Sequence, residues 1–237
     1  KIAGNAADLA DYAETKRIYL PNGFPPAADW ASPLPTIQLG NLAETLERLS
    51  VAGPDDFYRG KIANSLVDDV KRLGGKLSAQ DLQTYDATTT SVVASYFRNN
   101  ELFAAPDLTA GPTLAHALEL LQNRTPGDAK LDGQSYCHMA QALIDSYEHR
   151  LENMGDVDDA ASPACTSHLS VVDADGNMVA LTQTLLSVFG SRVVLPGTGM
   201  LMNNGMMWFD PRPGKPNSIA PAKRPLSNSS APVTNAA

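Results

Sequence analysis

The sequence predicts a layered α+β fold, with helices first and strands later. Three observations carry that expectation. Apolar residues recur at helical spacing through the first half of the chain, as at Leu42, Leu46 and Leu49. Near Asp156 the character changes to strand-like sequence, Thr166 to Asp173 and then Met178 to Leu186. Between those two runs sits Ala174-Asp175-Gly176, a strong hairpin-turn signal. Runs of helices followed by runs of strands pack as layers around one core.

The elements follow in chain order. Ile62 to Leu73 repeats the helical pattern, and Gly74-Gly75 stops it. Gly53-Pro54 reads as another helix end or turn. Ser78 with Asp81 three residues on is a capping arrangement, expected to start a short helix through Tyr85. Thr88 to Phe97 is β-branched and aromatic, and Glu101 to Ala105 is its expected partner strand. Gly111-Pro112 opens a helix to about Asn123, because proline suits the first helical turn. Gln134 to Met154 is the longest helical pattern. Asp156 to Pro163 is short, acidic and small, the composition of an exposed linker, and Pro211 to Pro225 is rich in Pro and Gly. The chain has no internal repeat and no low-complexity tract.

Bulk properties exclude several function classes. The 237 residues allow one domain or two small ones. The composition, 43% hydrophobic and 19% charged, is that of a globular protein. A net charge of −8 repels phosphate backbones, so no nucleic-acid partner is expected. No apolar run is long enough to span a bilayer, and Lys1 to Leu20 lacks a signal-peptide core. No membrane partner is therefore expected, while bacterial cytoplasm and periplasm both stay open. Cys137 and Cys165 make neither a disulfide framework nor a zinc-ligand set. His116, His138, His149 and His168 show no metal-binding spacing, and no glycine loop is shaped to cradle phosphate, so neither metal nor cofactor is expected.

The hairpin carries the chemistry. A three-residue loop wants a left-handed residue at its last position, which Gly176 supplies. Asp173 then pairs with Asn177, Val171 with Val179 and Leu169 with Leu181, one apolar face near the turn. On the alternate face His168 meets Thr182 and Thr166 meets Thr184, since paired residues point to one side of an antiparallel sheet. A two-residue loop would shift this register and separate the threonines.

A threonine hydroxyl is a weak nucleophile until a base takes its proton. The chain has no Ser-His-Asp order and no GxSxG elbow to supply one. If Thr166 becomes a chain terminus, its own α-amine serves, with a reference pKa of about 7.7–8.0. Before cleavage the hydroxyl attacks the carbonyl of Cys165 and gives an ester that water opens. Thr184, opposite, donates a hydrogen bond that holds the Thr166 rotamer. Pairing alone is also what an ordinary strand contact looks like, because threonine favours strands and Thr–Thr pairs are common.

A wider set of residues decides between these readings. Thr166-Ser167-His168-Leu169-Ser170-Val171-Val172-Asp173-Ala174-Asp175-Gly176-Asn177 resembles the start of the small subunit of γ-glutamyltranspeptidases. The likeness continues through Thr182-Gln183-Thr184, Phe189-Gly190-Ser191, Pro196-Gly197-Thr198-Gly199, Asn203-Asn204 and Lys223-Arg224-Pro225-Leu226-Ser227. Upstream, Gly53-Pro54-Asp55-Asp56-Phe57-Tyr58-Arg59-Gly60, Gly74-Gly75, Asp81-Leu82 and Tyr85 resemble the end of the large subunit. The resemblance implies an N-terminal-nucleophile hydrolase fold, an αββα sandwich of two stacked, mainly antiparallel sheets between helical layers. Residues 1–165 would be the last part of the large-subunit-like region and 166–237 the first part of the small one, together one domain. It implies self-cleavage into a heterodimer, possible dimers of that heterodimer, and an acyl-enzyme that passes its acyl group from a small amide or peptide to water or an amine. Thr166 matches the nucleophile, Thr184 its supporting threonine, and Ser227 the first of two serines that hold the substrate carboxylate.

Departures from the family pattern redraw the pocket. Leu186 stands where the family has an asparagine, Gly205 where it has Gln or Glu, Trp208 where it has the aspartate that binds the substrate's α-amino group, and Asn228 for the second serine. A desolvated ammonium needs a carboxylate or several acceptors, which Leu186 and Trp208 do not offer. Together with Asn204, these positions describe a larger, flatter and less polar pocket, like that of cephalosporin acylases. Trp208 reads equally as packing or as a stacking surface. The family's carboxylate-gripping arginine is expected before Lys1 and its oxyanion glycine pair beyond Ala237, so the chain reads as a fragment; oxyanion donors are worth about 10²–10³-fold in rate. Three functions follow: γ-glutamyl transfer or hydrolysis such as that of a glutathione hydrolase, acylase-type amide hydrolysis, or a non-catalytic protein that keeps the fold. His168 reads as a strand histidine satisfied by neighbours, Arg192 as solvent-facing or as a partner for an acidic substrate group, and Asn203-Asn204 as a turn or a pocket wall.

Overall fold

The computed structural model describes residues 1–27, 33, 35–87, 89–124, 131–154, 164–221, 223–227 and 233–236, the side chains of 164–166 and 233–236 excepted. The chain divides into two compact units. One comprises Lys1–Ala87, Pro163–Cys165 and Leu185–Asn204; the other comprises Thr88–Ser162, Thr166–Thr184 and Gly205–Ala237. The expected linker, Asp156 to Pro163, lies outside the described residues.

The first unit is helical. After a 3₁₀ turn at Ala3–Asn5 come α1 (Ala6–Leu9), α2 (Ala13–Tyr19), α3 (Leu42–Ala52), α4 (Pro54–Arg59), α5 (Lys61–Arg72) and α6 (Ala79–Gln83). α5 buries Ile62, Ala63, Leu66 and Val67 along one stripe, as its apolar spacing dictates. Ile62 and Leu66 meet Leu195, with Leu49, Phe57, Val70, Leu82, Val193, Met200 and Met202 packed around them. Burial of each such aliphatic side chain contributes roughly 1.5–3 kcal/mol.

Asp56 explains the Gly53–Gly60 block. Its carboxylate takes both prongs of the Arg48 guanidinium at 2.6 Å, then accepts the Lys61 and Ile62 amides at 3.2 and 3.3 Å. It thus caps the otherwise unsatisfied amides at the start of α5. A Cβ on Gly60 would lie 2.1 Å from the Asp56 carboxylate, so only glycine lets the side chain fold back. Ser78 and Asp81 form the expected capping box. α6 ends at Gln83 rather than Tyr85: the Tyr85 amide donates to the Leu82 carbonyl at 3.2 Å in a tighter turn, and the Tyr85 ring stacks on Tyr58.

Residues 185–204 fold back on themselves in the same unit. Ser191 N–H donates to the Met202 carbonyl, Met202 N–H to Val193 and Leu195 N–H to Met200, with Pro196-Gly197-Thr198-Gly199 at the tip. Helical side chains grip this loop by its backbone. The Thr15 hydroxyl donates to the Arg192 carbonyl at 2.7 Å and accepts the Val194 amide at 3.0 Å. Asn41 donates to the Pro196 carbonyl, Thr45 to the Thr198 carbonyl, and Asp69 accepts the Gly197 amide. Thr15 is fully buried and Asp69 nearly so.

The second unit mixes both element types. β1 (Val93–Phe97) and β2 (Asn100–Ala104) form an antiparallel hairpin, and β5 (Val233–Ala236) joins the other edge of β2. Strand β1 is shorter than the Thr88–Phe97 run expected from sequence. The ladder begins at Val93 opposite Ala104, where β2 ends, and residues 89–92 are exposed. α7 (Gly111–Arg124) and α8 (Gly133–Asn153) match the expected helices. A Cβ on Gly111 would sit 1.9 Å from the Ala105 carbonyl, so the start of α7 needs glycine to press against the end of β2. The final pair, β3 (Ala164–Val172) and β4 (Met178–Ser187), makes a two-stranded sheet.

Candidate active site

The β3–β4 turn has the conformation its sequence requires. Gly176 adopts φ +83°, and the Asp173 amide donates to the Asn177 carbonyl at 3.1 Å. The Asp173 carboxylate accepts the Asp175 and Asn177 amides and the Asn177 side-chain amide, at 3.0, 2.8 and 2.7 Å. Those hydrogen bonds, the one from the Asn177 side chain first, hold its carboxyl below the usual range. Five residues into the strand, His168 Nδ1 lies 2.9 Å from Thr182 Oγ1, and its other ring nitrogen is 3.1 Å from Ser170 Oγ. Both ring nitrogens are therefore engaged by neighbouring hydroxyls. Counting two residues further along this register sets position 166 across from position 184. Cys165 and Thr166 belong to β3 and the half-buried Thr184 to β4. The apolar face of the hairpin, with Leu169, Val171, Val179 and Leu181, is about half exposed in this chain.

The pocket candidates fall into separate groups. Gly205 opens a 3₁₀ turn, Gly205–Trp208, and Trp208 is half-buried. The Trp208 carbonyl accepts the Asn217 side-chain amide at 2.6 Å, and the Asn217 oxygen accepts the Leu226 amide at 3.1 Å. One buried asparagine thus ties the Trp208 turn to the residue before Ser227. The Ser227 amide donates to the Leu108 carbonyl at 2.6 Å, and its carbonyl accepts Arg150 Nη2 at 3.1 Å. Arg150 is only 2% exposed and also donates to the Thr109 carbonyl and the Thr113 hydroxyl. Asn228 lies outside the described residues. Asn204 belongs to the first unit, where its side chain is engaged by Ser187. Arg192 has φ +64° and pairs with Asp8 at 2.9 Å.

Arg150 and Asn217 were not among the sequence candidates. Arg150 had a signal: it continues the buried stripe of Ala142 and Ser146 at four-residue spacing, where a guanidinium must find buried partners. Asn217 had none, since asparagine in a Pro- and Gly-rich stretch reads as a turn. Among the described residues, no group of three or more His, Cys, Asp or Glu could hold a metal ion, and no helix is long and apolar enough to cross a membrane.

Comparison with known proteins places this architecture. The structure superposes on a cephalosporin acylase from Bacillus halodurans with a TM-score of 0.84, at 19% identity, covering 99% of this chain and 49% of that one. On Helicobacter pylori γ-glutamyltranspeptidase the TM-score is 0.56, at 21% identity, over 68% of this chain and 45% of that one. The fold is the α+β fold of N-terminal-nucleophile hydrolases. The γ-glutamyltranspeptidase family model matches residues 1–165 and 160–234, and the chain belongs to that family. It is 30% identical to the glutathione hydrolase proenzyme of Escherichia coli (strain K12), over 82% of this chain and 42% of that protein. It is 29% identical to the acylase ACY 1 proenzyme of Pseudomonas sp. (strain SE83), over 94% of this chain and 46% of that protein. The chain thus spans less than half the length of these relatives.

Proposed function

We propose that the protein is a self-processing amide hydrolase or acyltransferase that works through a threonine acyl-enzyme on γ-glutamyl or related acyl compounds. The hairpin register supports the proposal: with His168 beside Thr182 and Asp173 bonded to Asn177, counting outward sets position 166 opposite position 184. In the processing step, Thr166 Oγ attacks the carbonyl carbon of Cys165. The peptide C–N bond breaks, the nitrogen takes a proton as it becomes the Thr166 α-amine, and an ester remains. Water opens the ester and leaves a Cys165 carboxylate and a free N-terminal threonine. In turnover that α-amine takes the Thr166 hydroxyl proton, the oxygen attacks a substrate amide, and the amine product departs with the proton. Thr184 orients the hydroxyl. In this reading Ser227, Asn228, Gly205 and Trp208 are assigned to substrate contact, and the Asn204 side chain is engaged by Ser187. The two cleaved parts remain together as a heterodimer, and the substrate is a small amide or peptide.

A second reading has its own support. Leu186, Gly205 and Trp208 remove the polar groups an α-amino acid substrate needs, which favours a broader acylase. The names of its relatives include both classes. The experiment compares a γ-glutamyl anilide with a bulky aromatic acyl-amide on the full-length protein. A higher kcat/KM on the bulky amide supports the acylase reading, and strong preference for the glutamyl anilide overturns it. A protein that cleaves neither and labels no nucleophile is the non-catalytic bearer of the fold.

A further inference from the structure

The end of strand β4 contains a conformation that leucine rarely adopts. Leu186 has φ +73°, left-handed, in a residue whose Cβ is penalised there. Such a residue persists only where its surroundings over-determine it. Asn204 bonds to both neighbours of Leu186. The Asn204 side-chain oxygen accepts the Ser187 amide at 3.0 Å, and its side-chain nitrogen donates to the Ser187 hydroxyl at 2.7 Å. Its own backbone amide donates to the Leu185 carbonyl at 3.2 Å. The residues on both sides of Leu186 are therefore held by Asn204, and Leu186 is trapped between them. Downstream, Gly190 has φ +50°, and a Cβ there would lie 2.2 Å from the Met202 carbonyl, so the returning chain is locked close by.

We infer that Asn204 is a positioning residue: with Ser187 it clamps the end of β4 around a strained Leu186 and so fixes the backbone that carries Thr184. Only Leu185 separates Thr184 from Leu186, so relaxation of Leu186 toward an ordinary strand conformation turns the backbone one residue away from it. The side-chain amide of Asn204 is given to the strand rather than held free for substrate. This rests on the proposed roles of Thr166 and Thr184, because the clamp matters to catalysis only through them.

The test is a double-mutant cycle in the full-length protein. Two readouts are taken, the rate of chain cleavage before Thr166 and stability in denaturant. Asn204→Ala removes the clamp and is expected to slow cleavage by about tenfold or more, the scale of losing two hydrogen bonds from a positioned group. Asn204→Asp keeps the acceptor for the Ser187 amide, and the Ser187 hydroxyl can turn to donate, so most of the rate returns. Leu186→Gly adopts the left-handed conformation without a Cβ penalty, so in that background Asn204→Ala costs roughly threefold or less. Equal cleavage by wild type and Asn204→Ala, or an equal penalty in both backgrounds, overturns the clamp. If Asn204→Ala does not fold, Ser187→Ala removes one of the hydrogen bonds and is read in the same two backgrounds. A wild type that never cleaves sinks the nucleophile assignment instead. The clamp is then judged by stability alone, where independent effects of Asn204→Ala and Leu186→Gly contradict it.

Discussion

Gly199→Ala is expected to be among the most damaging small substitutions in the helical unit. Gly199 has φ +69°, where an alanine Cβ costs about 1–2 kcal/mol. Space is the larger problem. A Cβ there would lie 2.3 Å from the Leu42 backbone nitrogen and 2.6 Å from the Leu39 carbonyl, and none of these atoms can swing aside as a flexible side chain would. Forcing a methyl into a packed contact costs about 1–3 kcal/mol more. The shift also strains the neighbouring Thr45–Thr198 hydrogen bond, 2.8 Å in the native chain. The combined loss is about 2–5 kcal/mol, measured as the fall in unfolding free energy by denaturant titration. Gly214→Ala is the control. It has φ +80° but nothing within 4 Å of its Cβ, so it bears only the conformational part, about 1–2 kcal/mol. If Gly199→Ala loses no more than Gly214→Ala, the tip of the 185–204 loop does not sit against α3 and the packing argument fails.

Two further predictions concern the same unit. Thr15→Val leaves the Arg192 carbonyl and the buried Val194 amide unpaired and should cost about 2–4 kcal/mol in denaturant, whereas Thr15→Ser keeps both bonds and loses less than about 1.5. The Arg48 guanidinium first, and the Lys61 and Ile62 amides after it, hold the Asp56 carboxyl down to about 2 from 3.8. A carboxylate depressed in the folded state stabilises the protein above its unfolded pKa and loses that contribution as pH falls toward the folded value. Stability followed by thermal melting should therefore drop between about pH 4 and pH 2, and Asp56→Asn should flatten that window; an unchanged slope contradicts the assignment.

What the sequence made legible was local. Gly111-Pro112, Ser78 with Asp81, and Ala174-Asp175-Gly176 each act through their own backbone, so spacing alone located the start of α7, the cap of α6 and the β3–β4 turn. The His168–Thr182 contact followed from counting outward from that turn. The contacts that fix the loop after β4 were not legible, because their partners are far apart in the chain. Nothing local to Thr15 marks it as the hydroxyl bridging Arg192 and Val194, and nothing near Asn204 marks it as the clamp on Ser187. Strand β1 was over-extended for a similar reason. The β-branched Thr89, Thr90 and Val92 favour strands, but a strand needs a partner, and β2 stops at Ala104 before Pro106. The family blocks were read from sequence, while their physical reasons, such as Asp56 folding over Gly60, appear only in three dimensions.

The measurement that bears most directly on Thr166 is the intact mass of the purified full-length protein, with N-terminal sequencing of the smaller species. Two chains, the smaller beginning at Thr166, together with a single uncut chain for Thr166→Ala, are the predicted result. A wild-type protein that stays one chain under all conditions, or that is cut at another bond, contradicts the account.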